Sequence, residues 1–198
     1  MDLYAGKAGL VATLAPLVGR LARSGVAPDA LTLGAIPVAF VAAACLLASP
    51  ATPVLALAVP VLAAVRLLLN LLDGALARAT GRIHSRGELY NEVGDRLADI
   101  AFLAPPAVLP GASAEIVLAG VVASVLASFI SVATKAAGGT RTYRGVLSKP
   151  GRMVLVSACA VGWFVAGSAA WSVFGPLLLA GATLTAIERV VIAVRALP

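Results

Sequence analysis

The chain has 198 residues, of which 61% are hydrophobic and only 12% are charged, and its formal net charge is +6. Soluble domains are about 45–50% apolar and about 25% charged. The apolar residues here form long continuous runs without alternation, which excludes an ordinary soluble domain and predicts an integral membrane protein. A chain of this length needs one domain, residues 1–198, with a juxtamembrane arm at 1–26 and a helical bundle at 29–193.

The arm combines leucines at intervals of three and four residues with basic residues among and beside them. These leucines are Leu10, Leu14, Leu17 and Leu21. The pattern is typical of a helix lying on the cytoplasmic membrane surface, and a loosely packed arm fits it as well. Charged residues and a proline interrupt the first apolar stretch, so we predict no cleavable signal peptide.

Six later stretches are long and apolar enough to cross a membrane, which requires about 20 residues each. They cover residues 29–48, 53–79, 87–107, 114–135, 151–168 and 171–193. Asp29 is a candidate N-cap of the first span, and Ser85 and Glu88 have the spacing of a capping box at the third. The predicted fold is therefore an all-α membrane protein with six transmembrane helices and an N-terminal interfacial helix.

The 15 lysines and arginines are unevenly distributed along the chain. They cluster before the first span, between spans two and three, between spans four and five, and near the end of the chain, whereas residues 49–52, 108–113 and 169–170 contain none. By the positive-inside rule both termini face the cytoplasm, as in a bacterial-type cytoplasmic membrane. This topology accounts for the net charge, so no basic surface is left that predicts nucleic-acid binding.

Charged and amide side chains occur inside the second and third spans, where they are costly and point to function. Positions 66, 70, 73, 74, 77 and 78 follow one face of the second helix, and positions 88, 91, 95 and 99 follow one face of the third. The two spans form a hairpin that turns near Gly81 to Ser85. At about 1.5 Å per residue, Asp73, Asn91 and Asp95 lie on the order of 10–15 Å from that turn, so they predict one site near the cytoplasmic interface.

The segment Asn70-Leu-Leu-Asp73-Gly74-Ala-Leu-Ala77-Arg78, eight residues and Gly87-Glu-Leu-Tyr-Asn91-Glu-Val-Gly-Asp95 resembles the CDP-alcohol phosphotransferase signature. That signature reads D-x-x-D-G-x-x-A-R, eight residues, G-x-x-x-D-x-x-x-D, and six of its eight fixed positions match. The resemblance implies transfer of a phosphatidyl group from a CDP-linked lipid, such as CDP-diacylglycerol, to an alcohol in phospholipid biosynthesis, with release of CMP. It also implies a homodimer whose active site faces the cytoplasm.

The resemblance further implies roles for the motif residues. Hard cations prefer carboxylate oxygens, so one or two Mg²⁺ or Mn²⁺ ions are expected among the motif positions. The expected metal ligands are Asn70, Asp73, Asn91 and Asp95. The expected nucleotide-binding residues are Gly74, Ala77, Arg78 and Gly87. Small residues expose the helix backbone to the nucleotide, and the arginine guanidinium group can donate two parallel hydrogen bonds to a phosphate. Asp95 is the expected general base on the acceptor hydroxyl.

Asn70 and Asn91 stand where the signature has aspartates, which leaves the motif with two carboxylates. Three hypotheses follow. A further carboxylate, from Glu88, Glu92 or Asp99, compensates; the site holds one ion tightly and a second only with substrate; or the protein is a catalytically inactive lipid- or nucleotide-binding membrane protein. The neighbouring Arg66 pairs with Asp73 or Asp99, or it reaches a phosphate.

The segment between spans four and five is rich in basic residues. Lys149 and Arg152 open the fifth span and are the candidate residues for binding the acceptor, which is either a phosphorylated polyol or a neutral alcohol. Topology alone accounts for this charge equally well. A transporter is disfavoured, because the polar residues cluster on the cytoplasmic side instead of following a path through both leaflets.

Overall fold

The structure is a computed structural model that describes Gly9 and residues 13–197. These residues form seven α-helices. The helices are α1 (Ala15–Arg23), α2 (Pro28–Ala48), α3 (Ala58–Thr80), α4 (Ser85–Leu103), α5 (Ala114–Ala136), α6 (Lys149–Ala166) and α7 (Ala169–Ala196). A 3₁₀ turn, Pro53–Leu57, leads into α3, and another, Pro105–Val108, follows α4.

The predicted helical arm is present as α1, which packs through Val18 against Leu72, Ala75 and Leu76 of α3. Part of the predicted amphipathic pattern, including Leu10, lies outside the described residues. The location of α1 on a membrane surface stays a prediction.

The six predicted spans coincide with α2 to α7 to within a few residues. Within the described part of the chain, four segments are long and apolar enough to cross a membrane: Pro28–Ala48, Pro53–Thr80, Ala114–Ala136 and Ala169–Ala196. They support an integral membrane location. Helix α4 carries the charged motif residues, and α6 begins with two basic side chains, which lowers the hydropathy of both. The count of six spans and the orientation of the termini therefore stay predictions.

Two predicted helix caps are wrong. Ala27 is the N-cap of α2, which begins at Pro28, so Asp29 lies in the first turn instead; proline is favoured at that first position because it has no N–H to satisfy. At α4 the N-cap is His84, whose Nδ1 accepts a hydrogen bond from the Gly87 N–H at 2.9 Å. The imidazole nitrogen performs the role that the sequence assigned to the Ser85 hydroxyl.

The predicted hairpin between the second and third spans is confirmed. Helix α3 ends at Gly81, whose φ of 67° is left-handed and costs glycine no steric strain. Helix α2 packs against both α3 and α4. At the Gly81 end of this group, His84 Nε2 lies 3.4 Å from Asp29 Oδ2. The hairpin thereby holds the motif-bearing faces of α3 and α4 opposite each other.

Among the described residues, helices α5 and α7 make the most extensive helix–helix contact, and glycines allow their approach. A Cβ atom at Gly120 would lie 2.9 Å from Leu178 Cγ and 3.0 Å from the backbone nitrogen of Leu179. Small residues at helix crossings in membranes allow this packing. Helix α6 also packs against α7.

We expect Gly120→Ala to lower the free energy of unfolding by about 1–3 kcal/mol, because the added methyl group overpacks a contact that includes backbone. Gly34→Ala is the matched control, since nothing lies within 4 Å of a Cβ at Gly34 of α2. Unfolding of both variants in mixed micelles, titrated with SDS, measures the difference. Equal stabilities would show that α5 and α7 are not packed this closely.

Candidate functional site

A cavity of about 490 Å³ opens between α3, α4, α5, α6 and α7. It brings together eight of the predicted site residues. They are Asn70, Asp73, Gly74, Arg78, Asn91, Asp95, Lys149 and Arg152. The other two, Ala77 and Gly87, are not among the residues that line it. A Cβ at Gly87 would lie 3.0 Å from Asp29 Oδ1 and 3.2 Å from His84 Cε1, so this glycine serves the contact between α2 and the hairpin.

Each motif asparagine donates a hydrogen bond to a motif aspartate on the facing helix. Asn70 Nδ2 donates to Asp95 Oδ1 at 2.7 Å. Asn91 Nδ2 donates to Asp73 Oδ2 at 3.1 Å, and the Thr32 hydroxyl donates to the same oxygen at 2.8 Å. Neutral donors thus satisfy part of the hydrogen-bonding capacity of each carboxylate without adding charge.

A cation from α6 completes the surroundings of Asp95. Lys149 is the first residue of α6, and its ammonium forms an ion pair with Asp95 Oδ1, the oxygen that also accepts from Asn70. Both side chains are mostly buried, with exposed fractions of 17% for Lys149 and 15% for Asp95. Arg66 Nη2 lies 3.9 Å from the same oxygen and donates to the Asp95 backbone carbonyl at 3.1 Å.

The floor of the cavity is a buried triad of Arg66, Asp99 and Arg152. Arg66 Nη2 donates to Asp99 Oδ1 at 2.8 Å, and Arg152 Nη2 donates to Asp99 Oδ2 at 2.7 Å. Side-chain exposures of 0–3% shield these three groups from bulk water. Buried charges require such partners. Of the alternatives for Arg66, the structure therefore supports pairing with Asp99.

The carboxylates that were candidates to replace the missing aspartates are all paired with cations. Glu88 pairs with Lys135, and Glu92 pairs with Arg96 and Arg141, while Asp99 belongs to the buried triad. Among the described residues, no three Asp, Glu, His or Cys side chains are grouped to hold a metal ion. The motif thus has the two carboxylates of Asp73 and Asp95 for a cation.

The wall contributed by the α5–α6 connection, α6 and α7 is basic and contains Arg141, Lys149, Arg152 and Arg189. Arg152 Nε and Nη1 and Arg141 Nε are buried and lack a hydrogen-bond partner within the described residues. Burial by itself would lower the pKa of Arg141, but the hydrogen bond and the charge of Glu92 raise it. An anion in the cavity would contact positively charged groups whose unpartnered N–H donors could bind it.

Sequence reasoning missed two residues of this wall. Arg189 of α7 donates to the backbone carbonyls of Ala127, Tyr143 and Arg144, and so holds the α5–α6 connection over the cavity. Arg189 lies inside the sixth predicted span. The rule that a charged side chain within a span points to function, which identified Arg66, therefore applies to Arg189 as well. Arg141 gave no such signal, because it lies among the other basic residues of that connection.

An apolar groove adjoins the polar cavity between α3 and α6. It is lined by Pro60, Ala63, Ala64, Leu67, Met153, Val154, Ser157, Ala158 and Val161 and has a volume of about 590 Å³. Leu67 lines both the groove and the polar cavity. A ligand with a charged head and an apolar tail could occupy the two together.

No family model matches the chain. Over 195 residues it is 29% identical to "Inner membrane protein YnbA" of Escherichia coli (strain K12), covering 96% of this chain and 94% of that protein. It is also similar in structure to phosphatidylinositol phosphate synthase (PgsA1) of Mycobacterium tuberculosis with CDP-DAG bound. That similarity has a TM-score of 0.68 and 24% sequence identity, covering 91% of this chain and 93% of the synthase chain.

The same synthase in complex with manganese and citrate gives a TM-score of 0.69 at 24% identity, covering 91% of this chain and 88% of that chain. These similarities define the class of the fold: an all-helical membrane bundle. The particular fold is that of PgsA1, with the cavity described above among its helices.

Proposed function

We propose that the chain is a membrane transferase of the CDP-alcohol phosphotransferase type. It moves a phosphatidyl group from a CDP-linked lipid, such as CDP-diacylglycerol, to an alcohol and releases CMP. The observation that carries the proposal is that six motif positions, on two helices of a PgsA1-like fold, line one cavity. They are Asn70, Asp73, Gly74, Arg78, Asn91 and Asp95.

The donor is a lipid because the polar cavity and the apolar groove adjoin at Leu67. We assign the CDP head to the polar cavity beside Gly74 and Arg78 and an acyl chain to the groove between α3 and α6. A Cβ at Gly74 would meet only the Arg78 side chain, at 3.4 Å, so the helix face is otherwise open. A PgsA1 structure of the same fold contains CDP-DAG, which supports this class of donor.

The donor set fits one divalent ion, Mg²⁺ or Mn²⁺, better than two. Asp73 and Asp95 supply two carboxylates, and Asn70 and Asn91 can add carbonyl oxygens only by turning their amides. A PgsA1 structure contains manganese, which supports a divalent metal in this fold. Bound there, such an ion would neutralise charge on the diphosphate.

Asp95 is the proposed general base. Its Oδ1 accepts from Asn70 and Lys149, so we assign the acceptor proton to Oδ2. The acceptor oxygen then bonds to the phosphorus of the phosphatidyl group, the bond from that phosphorus to the bridging oxygen breaks, and CMP leaves. Asn70 orients the carboxylate, since its amide hydrogen bond fixes one of the two oxygens.

The acceptor binds at the basic wall, where Lys149 and Arg152 are the proposed contacts. The unpartnered Nε and Nη1 of Arg152 are suited to a phosphate, which favours a phosphorylated polyol over a neutral alcohol. The triad holds Arg152 in place through Asp99.

We further propose that the cavity faces the cytoplasm and that the protein forms a homodimer, as the charge distribution and the family resemblance indicate.

The second candidate is an inactive lipid- or nucleotide-binding protein on the same scaffold, which the two asparagines favour. Acceptor-dependent release of CMP separates the two functions. An inactive protein binds CDP-diacylglycerol and releases no CMP with any acceptor.

We expect Arg78→Ala to weaken the binding of CDP-diacylglycerol by about 1.5–3 kcal/mol, the value of a hydrogen bond to a charged group. Arg78 lines the cavity, and no hydrogen bond or ion pair joins it to another described residue. Arg82→Ala is the matched control, because Arg82 follows the end of α3 and is not among the residues that line the cavity. Isothermal titration in detergent measures both affinities, and equal affinities for wild type and Arg78→Ala would remove Arg78 from the nucleotide site.

A further inference from the structure

The two motif carboxylates have different neighbours. Asp73 Oδ2 accepts from Thr32 and Asn91, which are both neutral. Asp95 Oδ1 accepts from Asn70 and from the Lys149 ammonium. A divalent ion can therefore approach Asp73 without meeting a cation, whereas at Asp95 it must displace or stand beside an ammonium.

The charges around the cavity floor are balanced by the protein itself. Asp95 and Asp99 pair with the three cations Arg66, Lys149 and Arg152. Asp73 lines the same cavity without an ion pair among the described residues, so three carboxylates here are matched by three cations, and the arginines of the wall add further positive charge. One divalent ion adds two positive charges, which a bound diphosphate matches. A second ion would leave two positive charges unmatched in a poorly solvated site, where like charges repel strongly.

We propose that the Lys149 ammonium takes the place of a second divalent ion at Asp95, so that the site binds one divalent ion, at Asp73, together with the CDP diphosphate. The two asparagines and Lys149 together reduce the number of divalent ions that the site binds. Asn70 and Asn91 remove two negative charges and donate hydrogen bonds to the remaining carboxylates, while Lys149 supplies a cation held at the first position of α6. This inference rests on the proposed function, because it takes CDP-diacylglycerol as the ligand.

The count of Mn²⁺ ions per chain tests the proposal directly. Purified protein in detergent is saturated with CDP-diacylglycerol and titrated with Mn²⁺, and free Mn²⁺ is followed by electron paramagnetic resonance. We expect the wild type to bind about one Mn²⁺ per chain, because its two carboxylates and built-in cation match one ion. Two Mn²⁺ per chain overturns the proposal, and this result needs no variant that has to fold.

Two double variants sharpen the test. Asn70→Asp/Lys149→Met restores a carboxylate and removes the ammonium, so about two Mn²⁺ should bind. Asn70→Asp/Lys149→Arg restores the same carboxylate and keeps the cation, so about one should bind. Thermal unfolding shows that each variant is folded. A folded Asn70→Asp/Lys149→Met chain that binds CDP-diacylglycerol with one Mn²⁺ overturns the proposal.

The same titration separates this inference from the proposed function. A folded wild-type chain that binds no CDP-diacylglycerol, with or without Mn²⁺, contradicts the proposed function and the inference with it. A chain that binds the lipid with two Mn²⁺ ions contradicts the role of Lys149 alone.

Discussion

Asp95→Asn should lower kcat for CMP release by about 10²- to 10⁴-fold, the usual contribution of a positioned general base. The amide cannot take the acceptor proton, although it has nearly the shape of the carboxylate and can stay in the cavity beside Asn70 and Lys149. We therefore expect the loss in kcat, with little change in the KM for CDP-diacylglycerol. Steady-state kinetics in mixed micelles gives both constants.

Asp29→Asn is the matched control for this experiment. It makes the same chemical change in the first turn of α2, where Asp29 does not line the cavity, and we expect kcat within a few-fold of wild type. Wild-type rates for Asp95→Asn would show that another group accepts the proton. Glu92 would be the first residue to examine, although Arg96 and Arg141 both pair with it.

Asp99→Ala should lower the free energy of unfolding by about 3–5 kcal/mol, because it leaves Arg66 and Arg152 buried without their shared counter-charge. Arg66 is fully buried and Arg152 is 1% exposed, so bulk water solvates the two guanidinium groups poorly. SDS titration of the purified protein measures the change.

The control for that prediction is Glu115→Gln at the start of α5. The Glu115 carboxylate makes an exposed hydrogen bond with Ser113 and has no ion pair among the described residues. We expect it to change stability by no more than about 0.5 kcal/mol. A similar small effect of Asp99→Ala would show that the two arginines find other partners, and the triad would then not be a structural element of the cavity floor.

The helical hairpin and its motif faces could be predicted from the sequence because local rules determine them. The spacing of Asn70 and Asp73 along one helix, and of Asn91 and Asp95 along the next, follows the helical repeat. Gly81 marks the turn that brings the two faces together. Equal distance from that turn then predicts one site, and the structure places all four side chains in one cavity.

The partner of each side chain could not be predicted in the same way. Lys149 and Asp95 are 54 residues apart, and no periodicity relates α4 to α6. The rotation of α6 about its axis determines whether Lys149 or a neighbouring side chain meets the carboxylate. The same holds for Arg152 and Asp99, 53 residues apart, whose pairing follows from the packing of α6 beside α4. The His84 cap was missed because Ser85 matched the more frequent pattern.

The most direct measurement of the central claim follows CMP release and lipid products from purified protein reconstituted with CDP-diacylglycerol and Mg²⁺ or Mn²⁺. Glycerol phosphate, inositol phosphate and neutral alcohols are offered separately as acceptors. We predict CMP release that depends on one class of acceptor, matches the new phospholipid in amount, and disappears in Asp95→Asn. Binding of CDP-diacylglycerol without CMP release for any acceptor would contradict transfer and identify the chain as a binding protein on this fold.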